Sequence, residues 1–207
     1  MNPEIKRPTS LLAAIAAVAL LALPAAGCGD DGDAASASGN TTDSAFVTDM
    51  VPHHESAIVM ARMAGKQAER REIKQLAREI IDAQRSEIAV LERVGRELDQ
   101  AGVRRGHMGM SDAEMGMDHD MSMLESAREF DRAFIDMMIP HHEGAVRMAR
   151  KQLADGEHPT LRKLAEDIIA AQNREIAQMR GWRKQWYGSS KTDPGGSMPA
   201  HEEGHSG

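Results

Sequence analysis

The stretch Phe46-Val-Thr-Asp-Met50-Val-Pro52-His53-His54-Glu55 is the most informative part of the chain, because it occurs twice. It returns 88 residues later as Phe134-Ile-Asp-Met-Met138-Ile-Pro140-His141-His142-Glu143. The two copies share Met-x-Pro-His-His-Glu, and they contain four of the nine histidines of the chain. Any hypothesis about the fold or the chemistry has to account for this duplication.

The duplication extends beyond this motif. A second set of positions matches at the same spacing; it pairs Leu76, Ile80, Gln84 and Glu87 with Leu164, Ile168, Gln172 and Glu175. Apolar residues recur every three or four positions through about 46–66, 70–100, 126–154 and 160–187, which is the period of one helical face. Two related hairpins would each expose an apolar face, so we expect them to pack together. The predicted fold class is all-α, a four-helix bundle made of two duplicated helical hairpins over residues 43–187.

Two features define the first helix. Thr42 or Asp43 is predicted to cap its N-terminus, because short polar side chains accept hydrogen bonds from the first free N–H groups. Pro52 lies inside the helical pattern, and a proline there removes a backbone donor and kinks or ends the helix. Because the apolar spacing continues past Pro52, we predict one bent helix rather than a break.

The N-terminus has the pattern of an export signal. Lys6 and Arg7 precede an apolar run that is too short for a comfortable membrane span. The run ends at Cys28, the single cysteine of the chain, in a sequence that resembles a bacterial lipobox. We predict a lipoprotein-type signal peptide over residues 1–27, lipidation of Cys28 and a tether to the outer face of a bacterial membrane; a free or intermolecular thiol is the alternative. Residues 28–42 are predicted to form a flexible stalk and residues 188–207 a disordered tail.

Composition narrows the function. With three Phe, two Trp and one Tyr, the core must be built from aliphatic residues, Ala and Met, which favours packed helices. A net charge of −7 gives no reason to propose a nucleic-acid partner, but it is compatible with metal cations. The four predicted helices contain no Glu-x-x-His of the di-iron bundles, and no nucleophile or phosphate-loop motif stands out. We therefore predict a protein that is not an enzyme.

The histidine pairs and nearby methionines form the first candidate metal site. On their helices these side chains share the inward face; they are Met50, His53, His54 and Met60, and Met138, His141, His142 and Met148. Glu87 and Glu175 lie on the inward stripe of the second and fourth helices, and buried carboxylates need partners, for which the histidines are the nearest candidates. Two interpretations stay open. One is a structural His–Glu network with adaptable methionines; the other is a metal site, in which thioether sulfur favours Cu(I).

The connection between the two copies, residues 102–123, gives a separate signal. It is rich in Met and His; these residues are His107, Met108, Met110, Met115, Met117, His119, Met121 and Met123. They alternate with Gly, Ser and Asp without a helical period, which is untypical of a core. We interpret the connection as a flexible segment that captures Cu(I) or Ag(I) independently of the bundle, which should fold without it. A compositional accident and a partner-binding segment are the alternatives, and His201 and His205 of the tail are weaker candidates.

The doubled Met-x-Pro-His-His-Glu, with Met-Ala downstream, resembles the bacterial family known as domain of unknown function 305. The resemblance covers about residues 43–187. It implies a ferritin-like four-helix bundle, an exported or lipid-anchored location and, in some members, a role in binding copper or silver, but no established reaction. The family pattern falls on ten positions; they are Met50, His53, His54, Glu55, Met60, Met138, His141, His142, Glu143 and Met148.

These observations together predict an extracytoplasmic, membrane-anchored protein that binds copper or silver for sequestration, resistance or handover. Two alternatives belong to other classes: a ferritin-like redox enzyme, and a helical interaction scaffold without metal. A copper ion is the expected bound group. The expected partners are metal ions and, through Cys28, a membrane; a second copy of the chain and a metal-handling protein stay open.

Overall fold

The computed structural model describes residues 39–192, so the predicted signal peptide, Cys28 and the His201 and His205 positions lie outside the described residues. The described chain contains no strand. Its helices are α1 (Thr41–Gln67), α2 (Arg71–Gln100), α3 (Asp112–Met115), α4 (Met121–Glu125), α5 (Phe130–Asp155) and α6 (Pro159–Tyr187). The all-α prediction is confirmed. None of these helices combines the length and hydrophobicity that crossing a membrane requires.

The four long helices form two hairpins that pack on each other. α1 packs along α2, α5 packs along α6, and α1 and α5 make the most extensive contact between the hairpins. The motif-bearing helices are therefore the inner pair of the bundle. Both continue across their prolines, as predicted for Pro52, and their inward faces are completely buried at Phe46, Met60 and Phe134.

The start of α1 differs from the sequence-based prediction. Asn40, and not Thr42 or Asp43, is the N-cap: its side chain accepts hydrogen bonds from the N–H groups of Thr42 and Asp43. The Asp43 carboxylate in turn accepts a hydrogen bond from the Asn40 N–H, which completes a capping box. The helix thus begins at Thr41, so the stalk ends before residue 42.

Two equivalent aspartates join the hairpins. Asp43, at the start of α1, accepts hydrogen bonds from the backbone N–H groups of Glu157 and His158, which lie at the start of α6. Asp131, at the start of α5, accepts hydrogen bonds from the backbone N–H groups of Glu69 and Arg70, at the start of α2. The two sets of positions are related by the spacing of 88 residues: Asp43 corresponds to Asp131, Glu69 to Glu157 and Arg70 to His158. Each hairpin therefore caps the turn of the other, which is the approximate twofold relation expected from the duplication.

The connection is packed against the bundle, contrary to its interpretation as a segment without a role in the core. It contains α3 and α4, and Met108 is 4% exposed, inside the apolar cluster of one end of the bundle. A Cβ added to Gly144 of α5 would lie 1.7 Å from the carbonyl oxygen of Met115. A Cβ added to Gly116 would lie 2.2 Å from the carbonyl oxygen of Pro140. The two backbones thus touch directly. Glycine at both positions makes this docking possible, and deletion of the connection would uncover part of the core.

Candidate metal centre

The two copies of the motif meet at His53 and His141. Both side chains are buried, and their ring centroids lie 3.8 Å apart with the planes inclined by 37°. The predicted approach of the imidazoles of the two copies is confirmed. Burial, with the neighbouring His54 as a smaller cause, lowers the pKa of His53 to about 3. Burial and then the proximity of His53 hold the pKa of His141 well below its usual value, so both rings are neutral at pH 7.

The other histidine of each pair contacts a glutamate. His142 Nε2 lies 2.6 Å from Glu175 Oε2, and His54 Nε2 lies 2.7 Å from Glu87 Oε2. The first contact is an aligned hydrogen bond, whereas the second is as short but is not aligned as one. The predicted pairing of histidines with Glu87 and Glu175 is confirmed. Because a carboxylate oxygen accepts, Nε2 of His142 is the donor in the aligned pair, and Nδ1 is the nitrogen of that ring which can offer a lone pair to an ion.

Several of these ring nitrogens are buried without a partner. Within residues 39–192, no hydrogen bond reaches Nδ1 of His53, His54 or His142, or either nitrogen of His141. His53 uses its other nitrogen, Nε2, to donate to the Met115 carbonyl at 2.9 Å. A buried polar atom left unsatisfied costs about 1–3 kcal/mol. A nitrogen that carries a lone pair is also a metal ligand, so a bound cation would satisfy these atoms.

Four methionines complete the donor set. Each one is fully buried; they are Met50, Met60, Met138 and Met148. Met50 lies three positions before His53 and Met60 seven positions after it, and the second copy repeats both spacings around His141. Residues at these spacings lie on one helical face. Thioether sulfur together with neutral imidazole suits soft ions such as Cu(I) and disfavours hard ions such as Mg²⁺ and Ca²⁺.

Two glutamines were not assigned a role by the sequence. Gln84 and Gln172 are each 3% exposed and lie one helical turn before Glu87 and Glu175. The side-chain oxygen of Gln84 and both polar atoms of the Gln172 amide have no hydrogen-bond partner in the described part of the chain. Their repetition at the spacing of 88 residues is the sequence signal that could have identified them as part of the site. They are further buried polar groups on the inward faces of α2 and α6.

The connection supplies one residue close to the histidine pair. The ring of His119 is half-buried, and its centroid lies 5.8 Å from that of His141. Burial lowers the pKa of His119, and a hydrogen bond to the Gly116 backbone partly offsets this effect. The structure therefore places this residue of the connection close to the core histidines.

The remaining candidates of the connection are spread over different surroundings. His107 is exposed, with Nδ1 2.6 Å from Asp49 Oδ1, while the Met108 N–H donates to the other oxygen of Asp49. The half-buried methionines are Met110, Met115, Met117 and Met121, and Met123 is 49% exposed. The eight predicted residues thus do not form one cluster.

The donors are close but do not form a finished metal site. Between residues 39 and 192, no three side chains of the His, Cys, Asp and Glu types are arranged as they would be around an ion. The tilted rings of His53 and His141 would have to turn before both could bind. The four buried thioethers on the same helical faces are the additional ligands that a soft ion could use.

Solved structures of CopM in Cu(I)-bound, Cu(II)-bound and Ag-bound forms are similar to this chain. The Cu(I)-bound CopM is 39% identical, with a TM-score of 0.61, over 70% of this chain and 97% of CopM. A DUF305 fragment from Deinococcus radiodurans is 27% identical, with a TM-score of 0.61, over 72% of this chain and 99% of the fragment. A DUF305 protein from Streptomyces coelicolor is 22% identical, with a TM-score of 0.63, over 74% of this chain and 98% of that protein, and shows the shared fold. A comparison with curated proteins found no match.

The family comparison covers the whole bundle. The model for domain of unknown function DUF305 matches residues 43–183, and a second match spans residues 155–206. The first match contains both copies of Met-x-Pro-His-His-Glu and the connection between them. The chain therefore belongs to the DUF305 family.

Proposed function

We propose that this protein binds copper, as Cu(I), or silver outside the cytoplasm, and that it sequesters the ion or hands it over. The observation that carries the proposal is the buried pair of His53 and His141, whose unpartnered nitrogens lie on the same helical faces as four buried methionines. CopM, which was crystallised with copper and with silver, supports this choice of ions at 39% identity. The ion is the cargo of the protein.

The core histidines are prepared for metal at neutral pH. Because the pKa values of His53 and His141 are lowered, their lone pairs are free, and an ion does not have to displace protons from these rings. Glu175 accepts a hydrogen bond from Nε2 of His142 and leaves Nδ1 available, as carboxylates behind metal-binding histidines commonly do, and Glu87 lies 2.7 Å from Nε2 of His54. Burial keeps water away from the ion and so favours soft ligands over hydration.

A titration tests this proposal. The purified protein is titrated with Cu(I), in the absence of oxygen, against a coloured Cu(I) chelator of known affinity. We expect binding tighter than micromolar in the wild type and a loss of at least tenfold when His53→Asn and His141→Asn are combined. His158→Asn is the matched control, because His158 is also a buried histidine whose ring nitrogens lack hydrogen-bond partners, but it lies at the start of α6. Wild-type binding weaker than micromolar would sink the proposal.

A metal-free scaffold is the second candidate, and the contacts of His54 with Glu87 and of His142 with Glu175 favour it. Such pairs can fix how two hairpins dock without any ion. This function predicts that replacing His53 and His141 lowers thermal stability equally with and without Cu(I). Ion binding instead predicts that Cu(I) stabilises only the wild type.

We propose no enzymatic reaction; measurable aerobic iron oxidation would contradict that view and favour the redox alternative.

The location is also a proposal. The charged start, the short apolar run and Cys28 support export and lipid anchoring. In bacteria that express the full chain, Cys28→Ser should release the protein from the membrane fraction, and mass spectrometry of the wild type should show a lipid on residue 28. A protein with a free Cys28 thiol would overturn the anchor and leave metal binding untouched.

A further inference from the structure

We propose that His119 and His141 bind one soft monovalent ion between them, so that the connection supplies the ligand through which the ion reaches the buried histidine pair. This inference rests on the proposed function. It assigns His119 to the core site, whereas the sequence placed that residue in a separate segment.

The spacing of the two rings fits a shared ion. With a metal–nitrogen distance of about 2.0 Å, the centroids of two imidazoles on one ion lie roughly 5 Å apart at a tetrahedral angle and roughly 6.3 Å apart in a linear arrangement. The centroids of His119 and His141 are separated by 5.8 Å, which corresponds to a bent arrangement at the metal, between trigonal and linear. Low-coordinate, bent geometry is accessible to the filled d shell of Cu(I) and Ag(I). The rings of His53 and His141, at 3.8 Å, are too close to share an ion in this way.

His141 is the more buried residue of this pair, and its ring nitrogens are available to bind an ion. Its side chain is fully buried, and neither ring nitrogen has a hydrogen-bond partner in the described residues. His53, at the equivalent position of α1, differs because its Nε2 donates to the Met115 carbonyl. The duplication is therefore asymmetric at this site, and His141 is the member of the pair that is freer to take an ion.

His119 is held in place by the docking of the connection. Gly116 packs on the backbone of Pro140 and His141, Met115 packs on Gly144, and Arg147 Nε donates to the Glu114 carbonyl at 2.6 Å. These contacts fix the segment three to five residues before His119 directly on α5. His119 itself is half-buried and His141 is fully buried, so His119 is the member of this pair that solvent reaches. A ligand in that position can take an ion from solvent and pass it inward.

Nuclear magnetic resonance of the imidazole nitrogens tests the inference. The purified full chain, labelled with ¹⁵N-histidine, is titrated with Ag(I), which replaces Cu(I) without redox chemistry. We expect the resonances of His119 and His141 to shift together at the first equivalent. His119→Ala should weaken Ag(I) binding at least tenfold and remove the shift of His141, whereas His119→Met, which keeps a soft donor, should restore most of the binding. His107→Ala is the matched control and should behave like the wild type, because His107 is held by Asp49 at the surface.

The outcomes separate the two proposals. A wild type that binds no Ag(I) contradicts the proposed function as well. A wild type that binds Ag(I) through other histidines, without a shift of His119, overturns only this inference. Thermal unfolding of each variant without metal shows whether it is folded; if His119→Ala is not, the His119→Met variant and the wild-type shifts decide.

Discussion

At the scale of single residues, the four motif histidines differ in what each one contacts. His142 and His54 face glutamates, His53 faces a backbone carbonyl, and His141 has no hydrogen-bond partner within residues 39–192. His142 and His53 each make a hydrogen bond through Nε2, which leaves Nδ1 of each ring without a partner. The two histidines of each adjacent pair therefore have different surroundings: one lies against a carboxylate, and the other lies against the ring of the twofold-related histidine.

Replacing Glu175 tests the positioning of His142. Glu175→Leu should lower Cu(I) affinity by roughly 10–100-fold, because carboxylates behind metal-binding histidines have effects of that size. Glu175→Gln retains an acceptor oxygen and should keep most of the affinity. The competition titration described above measures both. Glu143→Leu is the control, because Glu143 pairs with Arg180 near the surface; an equal loss in this variant would show that the effect is not specific to His142.

The stability of the metal-free protein should depend on pH through His53 and His141. Both folded-state pKa values are lower than the ordinary value of about 6.5. As the pH falls below about 6.5, these histidines take up protons in the unfolded chain but not in the folded protein. The free energy of unfolding is therefore highest above pH 6.5 and decreases as the pH falls, for His53 down to its folded pKa of about 3. Each histidine contributes a slope of up to about 1.4 kcal/mol per pH unit.

Urea unfolding at pH 7, 6 and 5 measures this slope. The combined His53→Asn and His141→Asn variant should show a clearly flatter dependence, since asparagine does not titrate. An unchanged slope in the double variant would mean that other groups, such as the many carboxylates, control the pH dependence.

At the scale of elements, the sequence predicted the long helices but not the connection. The four long helices follow from apolar residues at three- and four-residue spacing, and their ends agree with the structure within a few residues. The connection has no such period, because Met108 and Leu124 contact the bundle through turns and very short helices. One signal was present: Gly144 replaces the Ser56 of the first copy, and this loss of a side chain admits the Met115 carbonyl.

Adding a methyl group at Gly144 should displace the connection. The Cβ of Gly144→Ala would overlap the Met115 carbonyl oxygen, so we expect a loss of about 1–3 kcal/mol, as for other overpacked sites. Limited proteolysis should cut between residues 102 and 123 more readily. Gly181→Ala in α6 is the matched control: its Cβ meets no atom within 4 Å, and alanine should stabilise the helix by up to about 1 kcal/mol. Equal effects at the two glycines would contradict the docking described here.

At the scale of the whole molecule, the duplication explains more than the repeated motif. The sequence could show that the halves are related, and the bundle follows from their apolar faces. It could not show which groups join them, because Asp43 and Asp131 read as ordinary residues at helix starts. Each aspartate accepts hydrogen bonds from the turn of the other hairpin, and this can be recognised only from a structure in which the start of each inner helix lies beside that turn. The meeting of His53 with His141 is a product of the same twofold arrangement.

The exchanged caps should therefore carry much of the stability of the assembled bundle. Asp43→Ala removes the acceptor for the N–H groups of Asn40, Glu157 and His158 and for the Gln152 amide, whereas Asp131→Ala removes the acceptor for the N–H groups of Glu69 and Arg70. We expect losses of about 3 and about 2 kcal/mol in urea unfolding, since each buried donor without a partner costs about 1–3 kcal/mol. The two caps lie at opposite ends of the α1 and α5 pair, so the losses should add to within about 0.5 kcal/mol in the double variant. A double variant that unfolds in two separate steps would instead show that the hairpins become independent folding units once the caps are removed, so that the exchanged caps are what couples them.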